Sequence, residues 1–167
     1  MIKNKRIIIF VIFAALTAAW MCVIFGFSAN DAEASTQQSN VVTEFVLRIF
    51  NWNFDELSET QQQNLISQYD GIVRKIAHFV AYTVLAFLWY FSVYTFPYTY
   101  SGNRYKPICV SFPLCVLFAV SDEYHQSFVD GRAGRFSDVL IDSSGALLGT
   151  VIALAVLAVV LRLLYKD

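Results

Sequence analysis

The sequence predicts an all-α integral membrane protein with four transmembrane helices and one external amphipathic helix. Its 167 residues are 57% hydrophobic and only 15% charged, whereas an ordinary soluble domain is about 25% charged. The uncharged residues are concentrated in long apolar runs, which is the pattern of membrane-spanning helices. The formal net charge of -1 excludes a nucleic-acid-binding protein that works through bulk positive charge. We therefore expect a single membrane domain over residues 1–167, with no nucleic-acid partner.

The first span is predicted at about residues 7–27. The run from Ile7 to Phe27 has 21 residues without a charge, and at about 1.5 Å per residue a helix of that length crosses the hydrocarbon core. Basic residues precede the run, as they do in a secretory signal peptide. The apolar region of a signal peptide, however, has only about 7–15 residues. We therefore interpret the run as a retained transmembrane helix.

The second span is predicted at about residues 75–96. Ser58 and Gln61 have the spacing of a helix capping box, so the helix that enters this span begins well before its apolar run. Pro97 follows the run and favours its end there. We therefore expect a helix that starts outside the membrane and continues into it.

The third span is predicted at about residues 107–126. Its apolar run, residues 108–120, is too short to cross a membrane alone. The helix spans only if it also includes the polar residues that follow, among them Asp122, Glu123 and His125. The alternative is a short re-entrant or buried helix.

The fourth span is predicted at about residues 138–161, and Asp142 is the charged residue within its apolar run. Gly145 and Gly149 fall on the same helical stripe as Asp142. A pair of glycines at this spacing lets two membrane helices approach each other closely. We therefore expect the stripe to face the helix bundle, where a carboxylate is either neutral or paired with a cation.

An external segment of about residues 28–74 joins the first two spans. Apolar residues recur in it at helical spacing and predict an amphipathic helix that either lies on the outer membrane surface or packs over the spans. Of the twelve Lys and Arg residues, seven lie in the short segments on the side of the N-terminus. This bias predicts a multi-pass protein of the cell membrane with both termini in the cytoplasm. The apolar stripe comprises Val41, Val42, Phe45, Val46, Ile49 and Phe50.

In this topology the ionisable residues at the ends of three spans converge on the external face. Lys75, His78 and Tyr82, for example, share one face of the second helix. Ionisable side chains at this depth are costly and usually functional. The group contains both histidines of the chain and comprises Arg74, Lys75, His78, Tyr82, Asp122, Glu123, His125, Gln126, Arg132, Arg135, Asp138 and Asp142.

The order and spacing of these residues resemble the VanZ-like family of small bacterial membrane proteins. The resemblance implies a role in the cell envelope and a link to resistance against teicoplanin, a lipoglycopeptide antibiotic. It does not imply a particular reaction. The matching pieces are Arg74-Lys75-Ile76-Ala77-His78, Asp122-Glu123-Tyr124-His125-Gln126, Gly131-Arg132 and Asp138-x-x-x-Asp142-x-x-Gly145.

Three interpretations of the cluster remain open. In the first, the protein is an enzyme that acts on a lipid-linked anionic head group, with basic side chains holding a phosphate and a histidine as general acid or base. In the second, the same residues bind a membrane lipid or a lipid-linked envelope precursor without chemistry. In the third, the charges form a structural ion-pair network that holds the helices together.

The first interpretation assigns a role to each residue. Asp138 is expected as nucleophile or second base. We expect no metal and no other cofactor, because the acidic residues and histidines lack the tight spacing of a known metal motif and cations lie nearby. A pore is disfavoured, because the ionisable residues are confined to one face. Catalytic roles are expected for His78, Glu123, His125 and Asp138, and substrate-binding roles for Arg74, Lys75, Tyr82, Asp122, Gln126, Arg132 and Asp142.

Overall fold

A computed structural model describes residues 2–97 and 103–164 of the chain. The described residues form helices joined by short loops and include no strand, so the prediction of an all-α fold is confirmed. The helices are α1 (Ile2–Ser28), α2 (Ala32–Phe50), α3 (Glu59–Thr95), α4 (Ile108–Gln126) and α5 (Phe136–Leu164), with a short 3-10 turn at Phe54–Glu56.

Four of these helices, α1, α3, α4 and α5, are long and apolar enough to cross a membrane, as expected of a multi-pass membrane protein. The helix α3 has 37 residues and is therefore about 55 Å long, longer than the hydrocarbon core. It begins at the predicted capping box, in which Ser58 and Gln61 bond to each other's backbone. The helix α4 is continuous over 19 residues, so the polar residues after its apolar run belong to its last turns.

Hydrogen bonds between helices fix the directions in which they run. The guanidinium of Arg6 in α1 donates to the carbonyl oxygens of Tyr94 (2.8 Å) and Thr95 (3.2 Å) in α3. The indole of Trp20 donates to the carbonyl oxygen of Ala81 (2.9 Å). The start of α1 therefore lies beside the end of α3, and the two helices are antiparallel. We call the opposite end of the bundle, on which α2 packs against the first half of α3, the α2 end.

The helices α3 and α5 run parallel and approach each other closely at two glycines. A Cβ atom at Gly145 would overlap the carbonyl oxygen of Phe79, and one at Gly149 would overlap that of Thr83. The hydroxyl of Thr83 also donates to the carbonyl oxygen of Gly145 at 3.0 Å. The glycine stripe of α5 thus faces the bundle as predicted, and Asp142, one turn earlier on the same stripe, faces α3 with it.

The helix α2 packs on the bundle with a face that differs from its apolar stripe. Thr43 and Leu47 are buried, whereas Val41, Phe45 and Phe50 are 69%, 64% and 81% exposed. The helix therefore does pack over the spans, but with a different face from its apolar stripe. Contacts on the other side of the helix, such as the one between Ser39 and Arg74 of α3, hold α2 in place and leave the stripe uncovered.

Candidate functional site

An open cavity of about 240 Å³ lies at the α2 end of the bundle. It forms where the first half of α3, the end of α4, the following loop and the start of α5 meet. Distant stretches of the chain therefore share one pocket. The polar residues that line it are Asp70, Arg74, Lys75, His78, Glu123, Gln126, Arg132, Arg135 and Asp138.

His78 lies between this cavity and a buried carboxylate. Its Nδ1 atom is 3.4 Å from Oδ1 of Asp142, and its side chain is 25% exposed while that of Asp142 is fully buried. The close approach of α3 and α5 at Gly145 brings the two residues together. An imidazole held by a carboxylate has a fixed orientation, which suits either proton transfer or metal ligation.

Asp122 of α4 is the third member of a buried group behind the cavity, which we call the buried trio (His78, Asp122 and Asp142). One nitrogen or oxygen atom from each of the three lies within 4.8 Å of the other two. Gln126, one turn further along α4, donates its side-chain amide to Oδ2 of Asp122 at 3.2 Å. Imidazole and carboxylate are residue types that ligate divalent metal ions.

Glu123 links the end of α4 to the loop that precedes α5. Its Oε2 atom accepts a hydrogen bond from the backbone N–H of Arg135 at 2.8 Å, whereas Oε1 is buried without a hydrogen-bond partner among the described residues. A Cβ atom at Gly134 would overlap the carbonyl oxygen of Glu123. The loop therefore closes tightly on Glu123 and leaves one of its carboxylate oxygens available beside the cavity.

Two of the basic residues in the cavity wall are already bound to the protein. Arg74 donates to Asp70 (2.9 Å) and to Ser39 (3.2 Å). Arg132 donates to the carbonyl oxygen of Ser28 at 3.1 Å, at the end of α1, where the helix dipole favours a cation. Partial burial and the nearby guanidinium of Arg74 lower the pKa of Arg132, but an arginine remains charged in proteins.

The loop reaches the end of α1 through a turn at Gly131. This glycine has a φ of +73°, a left-handed conformation that other residues rarely adopt. A Cβ atom there would also lie 2.8 Å from that of Ala32, and the N–H of Ala32 donates to the carbonyl oxygen of Asp130 at 3.2 Å. The Gly131-Arg132 pair therefore fastens the loop to both α1 and α2.

The other two basic residues, Lys75 and Arg135, are exposed. Neither side chain forms an ion pair or a hydrogen bond within residues 2–97 and 103–164. Asp138, in the first turn of α5, also faces the cavity, and its carboxylate accepts a hydrogen bond from the hydroxyl of Ser137 at 3.2 Å. The cavity therefore offers positive charge to an incoming anion.

Four of the residues predicted from the sequence do not line the cavity. The ring of His125 packs against Phe25 of α1, with 4.6 Å between the ring centroids. Tyr82 is fully buried one turn beyond His78 on α3, and its hydroxyl has no hydrogen-bond partner among the described residues. Asp122 and Asp142, both buried, lie behind the wall.

Sequence reasoning assigned no role to two charged residues of the cavity wall, Asp70 and Arg135. Asp70 lies four residues before Arg74, the spacing of an ion pair on one helical face, so the spacing alone could have found it. Arg135 lies in a loop, and no helical periodicity indicates where its side chain or its backbone N–H points.

Chemically, the site combines three functions at one place. Exposed cations can attract an anion, and Glu123 and Asp138 can exchange protons with a bound group. The buried carboxylate of Asp142 can hold the imidazole of His78 in a fixed position, or the whole trio can hold a metal ion. The cavity is small and lies where helices end, so it suits a head group better than a whole lipid molecule.

Comparison with known proteins found one family. The family model described as VanZ/LLP1 matches residues 13–160, nearly the whole chain and all residues of the site. No curated protein and no solved structure matches the chain.

Proposed function

The chain belongs to the VanZ/LLP1 family, and on that premise we propose that it binds and chemically modifies an anionic head group in the cavity at the α2 end. The head group belongs to a membrane lipid or to a lipid-linked envelope precursor. The resemblance to VanZ-like proteins further implies that this activity contributes to teicoplanin resistance.

One observation carries the proposal: unpaired cations and proton-exchanging groups line the same cavity. Lys75 and Arg135 supply positive charge that no carboxylate of the described residues neutralises. Glu123 and Asp138 line the cavity beside them, and His78 forms its floor in front of Asp142. Charge-assisted contacts to a phosphate or carboxylate are the strong kind of hydrogen bond.

The position of the cavity supports a lipid as the source of the head group. It lies where α4 ends and α5 begins, and we expect the ends of membrane-spanning helices at the edge of the hydrocarbon core. A lipid with its chains in the bilayer presents its head group at this level. The distribution of Lys and Arg favours the outer leaflet for this end of the bundle.

In the proposed reaction the protein's own residues position the head group and move protons. Lys75 and Arg135 hold the anionic group and stabilise the charge that develops on it. The free Oε1 of Glu123 takes a proton from a water molecule that attacks the phosphorus, and Asp138 donates a proton to the oxygen that leaves as its bond to phosphorus breaks. His78 fixes the inner edge of the site.

A non-catalytic alternative, in which the protein binds the head group and changes its exposure, is favoured by a different observation. Within the described parts of the chain no hydrogen bond joins His78 or Glu123 to a hydroxyl or thiol that could act as nucleophile. In that case the cations would hold the lipid and no bond would break.

A comparison of Glu123→Gln with the wild type separates the two functions. The glutamine still accepts the hydrogen bond of the Arg135 N–H but cannot accept a proton. Both proteins are expressed in a teicoplanin-susceptible bacterium, and the lipid head groups are analysed by mass spectrometry. The matched control is Glu56→Gln, at an exposed position outside the site.

If the protein is an enzyme, the wild type and Glu56→Gln raise resistance and change the abundance of one head group, and Glu123→Gln does neither while it still binds the lipid. If the protein only binds, resistance rises with no new head-group product. A wild type that neither retains an anionic lipid nor changes the lipid extract contradicts both functions.

A further inference from the structure

We propose that the buried trio of His78, Asp122 and Asp142 binds a divalent transition-metal ion at the floor of the cavity. This inference goes beyond the proposed function and can be tested without any lipid substrate. The sequence led us to expect no metal, because the three residues are not closely spaced along the chain. They come from three different helices, α3, α4 and α5. Only the packing of these helices brings them together.

The trio already has the arrangement of a ligand set. One candidate ligand atom from each residue lies within 4.8 Å of the others. Ligand atoms around a bound Zn²⁺ ion are about 3.3 Å apart, so small side-chain rotations toward a common centre complete the site. A cation between Asp122 and Asp142 also removes the repulsion that two close carboxylates would otherwise have.

Apart from the contact of Asp142 with His78 and the hydrogen bond from Gln126 to Asp122, the carboxylate oxygens of the trio lack partners. Both oxygens of Asp142 and Oδ1 of Asp122 are buried without a hydrogen bond from any described residue. Asp142 is 0% exposed and Asp122 is 1% exposed, so water does not solvate them from the surface. Buried carboxylates are normally paired, hydrogen-bonded or bound to a metal, and the third arrangement gives both carboxylates a partner through one oxygen of each.

The basic residues nearby neutralise this charge only in part, since Arg132 attracts Asp122 electrostatically without bonding to it. Arg74 is bound to Asp70, and Arg132 donates to the carbonyl oxygens at the end of α1. The imidazole of His78 can carry one positive charge at most, against two carboxylates. The repulsion expected between a metal ion and the arginines is therefore weakened, because both arginines are directed elsewhere.

The ligand chemistry indicates the class of ion. One imidazole and two carboxylates form a mixed nitrogen and oxygen set, which suits Zn²⁺ or Mn²⁺. His78 lines the cavity, so an ion held by the trio would be accessible from the side on which the head group binds. An ion at this position is a Lewis acid for a bound phosphate, with Glu123 and Asp138 as the proton-exchanging groups beside it.

The test measures the metal content of the full-length protein in lipid nanodiscs. Bound metals are first removed with a chelator, Zn²⁺ or Mn²⁺ is added, and unbound ion is washed away before elemental mass spectrometry. We expect about one ion per chain for the wild type, as for a three-ligand site. His78→Gln and Asp142→Asn should lower the affinity at least about tenfold, whereas the exposed Asp130→Asn should not change it.

A wild type that binds neither ion, or an equal loss in Asp130→Asn, overturns the proposal. The wild-type chain also provides a readout that does not depend on variants: its unfolding midpoint should rise when the bound ion is added, and no rise with either ion overturns the proposal as well. A wild type that binds the ion but leaves all lipids unchanged supports the metal site and contradicts the proposed function alone.

Discussion

The imidazole of His78 and the carboxylate of Asp142 face each other across the contact between α3 and α5, with Nδ1 and Oδ1 3.4 Å apart. The two helices can approach this closely because Gly145 and Gly149 present no side chain to the backbone of α3. The geometry of the site therefore depends on helix packing one to two turns away from it.

Gly145→Ala should destabilise the protein and separate the two residues. The added methyl group would overlap the carbonyl oxygen of Phe79, and overpacking of a tight contact costs typically about 1–3 kcal/mol. Unfolding in detergent or nanodiscs, followed by circular dichroism, measures the loss of stability.

The control for this variant is Gly26→Ala, a glycine on the exposed side of α1. No atom lies within 4 Å of a Cβ placed there, and alanine is favoured over glycine in a helix by up to about 1 kcal/mol. Gly26→Ala should therefore keep or raise the stability. Equal losses in the two variants would show that close packing at Gly145 is not what positions the site.

The cavity should open to the outside of the cell. Two exposed positions at opposite ends of the bundle, Asp130 and Lys106, are each replaced by cysteine in a chain whose three native cysteines are changed to serine. A membrane-impermeant maleimide should label Asp130→Cys in intact cells and Lys106→Cys only after permeabilisation. The reverse pattern would place the cavity in the cytoplasm and exclude an outer-leaflet head group as its ligand.

The uncovered stripe of α2 should lie in the membrane surface. Trp52 follows this helix and is 96% exposed, and aromatic residues of this kind favour the membrane–water interface. The difference in tryptophan fluorescence between the wild type and Trp52→Phe is the contribution of Trp52. Brominated lipids should quench this contribution. If acrylamide in the water quenches that part and brominated lipids do not, α2 does not lie on the lipid.

Helical periodicity accounts for the part of the fold that the sequence predicted well. The lengths of the apolar runs indicated the four long helices, and the glycine spacing in α5 indicated its packed face. Orientation of α4 about its own axis was harder to predict, because its apolar run is almost uniform. The buried stripe of α4 contains small residues, Ser111, Cys115 and Ala119, and continues to Asp122 and Gln126.

This stripe explains the position of His125. His125 lies three residues after Asp122, less than one full helical turn, but the packed side of α4 passes through Asp122, Glu123 and Gln126. His125 falls beside it and meets Phe25 instead. Small residues recur every four positions along this stripe. That pattern could have shown that His125 lies beside the packed side of α4 and not on it.

The buried trio and the loop contacts could not be predicted from local sequence. His78, Asp122 and Asp142 are brought together by three helices whose relative rotations depend on packing. The hydrogen bond from the Arg135 backbone to Glu123 depends on the loop conformation, to which spacing rules do not apply. Sequence reasoning identified the residue types of the site and the end of the bundle where they gather, but not their pairing.

The central claim is that the cavity binds an anionic lipid head group through its unpaired cations. The most direct measurement is the affinity of the purified protein for a short-chain lipid with a phosphate monoester head group, compared with a lipid of neutral head group. The double variant Lys75→Ala/Arg135→Ala is the test. Arg104→Ala/Lys106→Ala, which removes the same charge at exposed positions of the opposite end, is the control.

We predict that the wild type and the control bind the phosphate lipid and prefer it to the neutral one. Hydrogen bonds to charged groups contribute about 1.5–3 kcal/mol each, so the test variant should bind at least about tenfold more weakly. Equal affinities of the test variant and the wild type, or an equal loss in the control, would contradict the account.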